Sequence, residues 1–238
     1  MKNILVVSHE RSGTHFLIDS IINNLNVSRN KSIDLPMIST NTDIKSRDEY
    51  MSWIRDFMLS HSNTHSQIFK SHHDYRFIEP FIDEISEFFE IIYIRRNILD
   101  VCTSCYHYFK PPHPDFPSSA NFDEYLNIKP HEHSFDPNYS FEQYNSMIDR
   151  WYWHNYHWNR AGVPIVNYEE LKTQFESTIT RISQQLNTSV RNIPPIAPPV
   201  SGISPRKGVI GDYKNLISPQ QASLIDQRLR KLQADSKT

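Results

Sequence analysis

Glycine is scarce in this chain, with five in 238 residues. That number excludes glycine-rich and collagen-like architectures, and makes each glycine present a marker of special backbone geometry. Cysteine is scarcer still. Cys102 and Cys105 are the only two, so there is no disulfide framework, and one CxxC without a second pair cannot complete a zinc site. The pair falls inside a helical pattern without the glycine or proline context of a redox motif, which assigns it to packing. Neither sign of charge is in excess: 25 Lys and Arg against 27 Asp and Glu leave a formal net charge of −2. No global field therefore recruits nucleic acid, a heparin-like polymer or an anionic membrane, and a small molecule is the expected partner. No run approaches 18 apolar residues, and the chain opens on a β-branched segment rather than an apolar leader. The expected location is cytoplasmic, with triplets such as Asn26-Val27-Ser28 left unglycosylated.

One of the few glycines sits in "HERSGTHF", residues 9–16. Before it, residues 4–7 form the short β-branched run of a buried strand. After it, Phe16, Leu17, Ile18, Ile21, Ile22 and Leu25 recur at three- and four-residue intervals, lining one helix face. The loop is thus a strand-to-helix turn, where free backbone N–H groups and the positive end of the helix dipole converge. Gly13 allows close backbone approach, and Arg11, Ser12 and Thr14 add donors. This predicts an anion site, although the same residues would also serve as a plain helix cap. The GxxxxGK[ST] loop of ATP-binding enzymes is not met: Ser8 stands where its first glycine would be, and no lysine follows Gly13. An anion other than ATP is expected.

Further along, strand and helix patterns alternate. Helices are predicted near 47–59 and 77–89, strands over 67–70 and 90–96, and a helix after Asn97 as its cap. Residues 111–138 read as a long ordered loop, followed by a Trp/Tyr-rich helix over about 140–161, a strand over 163–168 and a helix over 169–186. An extended proline-rich loop and a last helix from Pro219 close the chain. Repeated βα units predict an α/β fold: one domain over 1–238, with a central parallel sheet flanked by helices and its ligand at the carboxyl ends of the strands. Those ends carry "HERSGTH", "FKSHH" (69–73) and "IRRN" (94–97). Each is cationic or protic. Ser104 falls two helical turns beyond Asn97, on the face of Asp100 and Tyr108, and "RKGVIGDYK" (206–214) adds two cations and two glycines. A ligand with two separated anionic ends would use all of these groups.

With these segments in this order over nearly the whole chain, the sequence resembles the PAPS-dependent sulfotransferases and their P-loop-like fold. The resemblance implies that the 5′-phosphosulfate lies on Arg11, Ser12, Gly13, Thr14 and His15, with Phe16 packing against the adenine. It places Lys70 and His72 beside the sulfuryl group. Arg96, Ser104, Arg206, Lys207 and Gly208 fall on the 3′-phosphate, and Tyr168 joins the nucleotide contacts. "WYWHNYHW" is similar to the acceptor-side helix, which assigns His154, with His73, to the acceptor.

Sulfuryl transfer is expected to be in-line and loose, by analogy with phosphoryl transfer. Arg11 and Lys70 would stabilise the leaving phosphate, and His72 would be the base. Strand alternation sets Lys70 and His72 on one side and His73 on the other. Two features depart from the common pattern. Arg11 stands where many relatives carry lysine, so its role should be purely electrostatic; arginine-bearing relatives can use a glutamate base. Phe16 stands where many carry tryptophan. No metal is expected, since His131 and His133 have no ligand spacing. Asp115, Asp123, Glu124, Glu132, Asp136, Glu142 and Asp149 around the acceptor region suggest a small polar or cationic hydroxyl or amine acceptor, and a homodimer is an allowed assembly. The competing readings are a P-loop small-molecule kinase and a non-catalytic sensor of the 3′,5′-bisphosphate nucleotide.

Overall fold

The computed structural model describes residues 1–28, 30–36, 44–108, 121–128, 144–198 and 208–237. Five strands form one parallel sheet in the order β2-β3-β1-β4-β5: β1 (Asn3–Ser8), β2 (Ile33–Asp34), β3 (Ile68–Ser71), β4 (Phe89–Arg95) and β5 (Ile165–Asn167). The central strand β1 is buried along its whole length, as a parallel strand covered on both faces must be. Its side chains divide by alternation. Ile4 and Val6 pack with Leu17, Ile18 and Ile21 of α1 (Thr14–Asn24) and with Tyr168, Ile179 and Ile182. Leu5 and Val7 face the other layer, with Ile54 and Met58 of α2 (Arg47–Ser60), Phe69, Tyr93 and Trp158.

A third apolar layer joins four helices beyond the sheet. These are α4 (Ile98–Tyr108), α5 (Phe122–Asn127), α6 (Met147–Arg160) and α9 (Pro219–Asp235). Cys102 and Cys105 are free thiols buried in that layer, and burial pushes both up, Cys105 to about 12. Neither is poised to react.

Several elements differ from the periodicity reading. The helix expected over 77–89 is instead two 3₁₀ turns (Tyr75–Phe77 and Glu79–Phe81) and a single turn, α3 (Ile82–Ile85). Pro80 lies in the second turn and lacks the N–H that a continuous helix would need. The stretch read as loop over 111–138 contains α5, where the Asn121 side chain caps the helix by accepting from Glu124 N at 3.0 Å; the rest of it lies outside the described residues except 128. The aromatic helix α6 starts at Met147, after Ser146 accepts from Asp149 N at 3.2 Å. The helix over 169–186 is two helices, α7 (Tyr168–Thr173) and α8 (Phe175–Gln185), with Gln174 between them outside helical geometry. Tyr168 opens α7 rather than ending β5. The two-residue β2 has too little sequence to announce itself, yet its Asp34 pairs in register with Lys70. Among the described residues, no helix is long and apolar enough to cross a membrane.

Candidate active site

The β1–α1 loop bends through left-handed backbone at Arg11 (φ 63°) and Gly13 (φ 98°), which aims the first turn of α1 at the sheet edge. Gly13 lies hard against Tyr168: a Cβ there would sit 2.3 Å from the ring's Cδ2. Ser12 is fully buried, and its Oγ has no hydrogen-bond partner among the described residues. Thr14 Oγ1 is 2.6 Å from Ser8 Oγ.

Arg11 and Arg96 lie among hydroxyls, carbonyls and aromatic rings, with Asp100 Oδ2 4.0 Å from the Arg96 guanidinium. Arg11 Nε donates to Ser104 Oγ at 3.1 Å, and its guanidinium lies 4.5 Å over the Tyr108 ring. Arg96, from the end of β4, donates to Val209 O at 2.9 Å and Arg11 O at 3.4 Å, and stacks 4.6 Å over Tyr168. Its Nε is buried without a partner among the described residues. The Tyr168 hydroxyl donates to Gly208 O at 2.8 Å. Asp100 accepts from Gly211 N at 2.8 Å and Tyr213 N at 3.2 Å, tying the C-terminal loop to α4. Gly208 is thereby brought to Arg96 and Tyr168, while Arg206 and Lys207 lie outside the described residues. Phe16 meets Tyr168 and Phe175 edge-on or tilted, with Lys172 4.6 Å over its ring.

At the end of β3, Lys70 Nζ is 3.0 Å from Asp34 Oδ2. His72 Nδ1 is 2.9 Å from Ser8 O. A carbonyl only accepts, so Nδ1 carries the proton and Nε2 is the basic nitrogen. Burial lowers the His72 pKa below its ordinary 6.5, reinforced by Lys70 and Arg150, while Glu10 and the Ser8 bond oppose the shift. The lowering favours the neutral ring. His15, exposed in the first turn of α1, is also lowered, by burial and then by Lys70 and His72.

His73 and His154, expected at the acceptor, are instead enclosed with both ring nitrogens engaged. His73 meets Tyr50 Oη at 2.5 Å and Ser71 Oγ at 2.8 Å, and burial lowers its pKa to about 3. His154 Nδ1 accepts from the Tyr93 hydroxyl at 2.9 Å, and its Nε2 donates to His72 O at 3.2 Å. It is 2 % exposed, and burial lowers its pKa to about 4.

Three neighbouring residues escaped the sequence reading. Arg150 of α6 makes a bidentate pair with Glu10, at 2.5 and 2.7 Å, and donates to His9 Nε2 at 2.9 Å. Burial alone would raise the Glu10 pKa; Arg150 reverses this and holds the carboxyl well below its usual range. A carboxylate directly before Arg11 was a signal, but its partner lies 140 residues away in sequence.

The sequence of residues 1–194 matches the family model described as the sulfotransferase domain. The chain belongs to the sulfotransferase domain family. No curated protein matches its sequence. The mouse sulfotransferase SULT7A1, solved in complex with PAP, is 19% identical with a TM-score of 0.62, over 98% of this chain and 88% of that one. Retinol dehydratase, solved with androsterone and the inactive cofactor PAP, is 13% identical with a TM-score of 0.61, over 97% and 80%. At these identities the likeness shows the shared sulfotransferase fold, with its central parallel sheet flanked by helices.

Proposed function

We propose that this sulfotransferase moves the sulfuryl group of PAPS to a hydroxyl or amine of a small polar or cationic acceptor, with His72 as the general base. The observation that carries this reading is the bond from His72 Nδ1 to Ser8 O at 2.9 Å. It leaves the basic Nε2 on a strand end that also bears Lys70, beside the Arg11 loop. PAPS, when bound, supplies the sulfuryl group. Ser12, Gly13, Thr14 and His15 would hold its 5′ end at the start of α1, Phe16 the base, and Arg96, Ser104, Tyr168 and Gly208 the 3′-phosphate, with Arg206 and Lys207 joining them. The buried, unpartnered Ser12 Oγ and Arg96 Nε fit an anionic ligand, because such atoms are costly unless something bonds them. His72 Nε2 takes the acceptor proton, while Arg11 and Lys70 face the charge that collects on the 5′-phosphate. The cationic preference rests on the sequence, which sets Asp115, Asp123, Glu124, Glu132, Asp136 and Glu142 in the segment before the acceptor-side helix.

Radiolabelled PAPS offered with tyramine, agmatine, 2-naphthol and androsterone tests the acceptor class. Label on tyramine or agmatine is expected. Label confined to androsterone would overturn the cationic preference, and a protein that neither binds nor consumes PAPS would overturn the donor.

Two further results are expected. PAP should bind at least ~100-fold more tightly than 5′-AMP, since the 3′-phosphate adds roughly two charge-assisted contacts; equal affinities in calorimetry would remove the 3′-phosphate assignment. The pH profile of kcat/KM should keep its plateau below pH 6.5. A general base works in its neutral form, the His72 pKa is lowered from 6.5, and activity is therefore lost only as pH falls through that depressed value. An acid limb centred above 6.5 would contradict this environment.

A further inference from the structure

Behind His72 lies a row of buried polar groups that no acceptor contact explains. His154 reaches from α6 to the main chain of the β3 end, where its Nε2–H donates to the carbonyl of His72 at 3.2 Å. A carbonyl fixes that nitrogen as the donor, so Nδ1 must accept, and the Tyr93 hydroxyl supplies the proton at 2.9 Å. The tautomer is thus set from both sides. Tyr93 is itself rigid: it belongs to β4, is 1 % exposed, and stacks on Trp158 with ring centroids 6.0 Å apart. Trp158 in turn donates to His73 O at 2.9 Å. The main-chain carbonyls of both histidines are therefore held from α6. On the far side of the His72 peptide, the ring is pinned by Ser8 of β1. His72 is suspended between β1 and α6.

Resting on the assignment of His72 as base, we infer that His154 is a positioning residue: oriented by the Tyr93 hydroxyl, it holds the His72 main chain so that Nε2 meets the acceptor. Arg150 and Glu10 make a parallel tie, joining the same helix to the Arg11 loop. The acceptor-side helix thus sets both the base and the donor loop, and an error of about 1 Å in such a base costs on the order of 10²-fold in rate.

The test compares His154→Ala, His154→Gln and Tyr93→Phe with the wild type. Glutamine keeps a donor for the His72 carbonyl; alanine does not. Tyr93→Phe keeps the ring volume and supplies a folded variant if His154→Ala does not fold. In the unliganded protein, NMR should show a protected His72 Nδ1 proton in the wild type and His154→Gln, broadened in His154→Ala and weakened in Tyr93→Phe. With the fastest acceptor of the four above, kcat should fall roughly 10- to 100-fold in His154→Ala, partly recover in His154→Gln, and leave PAP affinity and acceptor KM unchanged. The loss should vanish when His72 is already alanine. An unchanged Nδ1 proton, or glutamine no better than alanine, would overturn the proposal. A rise in acceptor KM at constant kcat would return His154 to acceptor binding. Near-normal turnover of His72→Ala alone would instead strike the base assignment, a separate result.

Discussion

His72→Ala is expected to lower kcat by roughly 10²- to 10⁴-fold, the range for loss of a general base, with little change in PAP affinity. The ring holds its Nδ1 proton on Ser8 O and offers Nε2, and burial keeps it neutral at working pH. Arg11→Ala should differ, weakening both nucleotide binding and turnover, because a charge facing the 5′-phosphate acts in ground and transition states alike. His73→Ala is not a silent comparison: it removes a buried ring bonded to Tyr50 and Ser71, and should lower stability by about 1–3 kcal/mol. Steady-state kinetics beside PAP calorimetry separates these variants. Should His72→Ala keep near-normal kcat, His72 is not the base.

Gly13→Ala should cost at least ~100-fold in PAP affinity and lower Tm measurably. Two effects combine. The backbone at φ 98° is strained for any side chain, at a cost of order 1–3 kcal/mol. The added Cβ would also stand 2.3 and 2.7 Å from Tyr168 Cδ2 and Cε2. That ring cannot yield alone, since it carries the Arg96 guanidinium on its face and the Gly208 carbonyl on its hydroxyl. Displacing it would disturb the Arg96 and Gly208 contacts together. Gly162→Ala is the matched comparison, because φ is 70° there but nothing lies within 4 Å of the new Cβ. Its penalty should be the backbone strain alone. If the two variants bind PAP equally, the packing of Gly13 on Tyr168 has no part in the site.

The sequence by itself determined the βα alternation, the strand-end position of each cationic cluster and the membership in the family. These are local properties: β-branched runs, three- and four-residue apolar spacing, and a glycine between a strand and a helix. Asp100 shows the limit. Its place on the face of α4 was legible, but not that it anchors Gly211 and Tyr213. His154 was legible as a histidine of the acceptor-side helix, yet its ring is buried and bonded to Tyr93 and His72, because helix packing decides which face turns inward. The Glu10–Arg150 pair and the Asp34–Lys70 pair join residues distant in sequence through the parallel crossovers of the sheet. Periodicity specifies which face of an element is apolar. Only the tertiary structure decides which buried polar groups meet, because a polar side chain must find its partner wherever the packed layers bring one within hydrogen-bond reach.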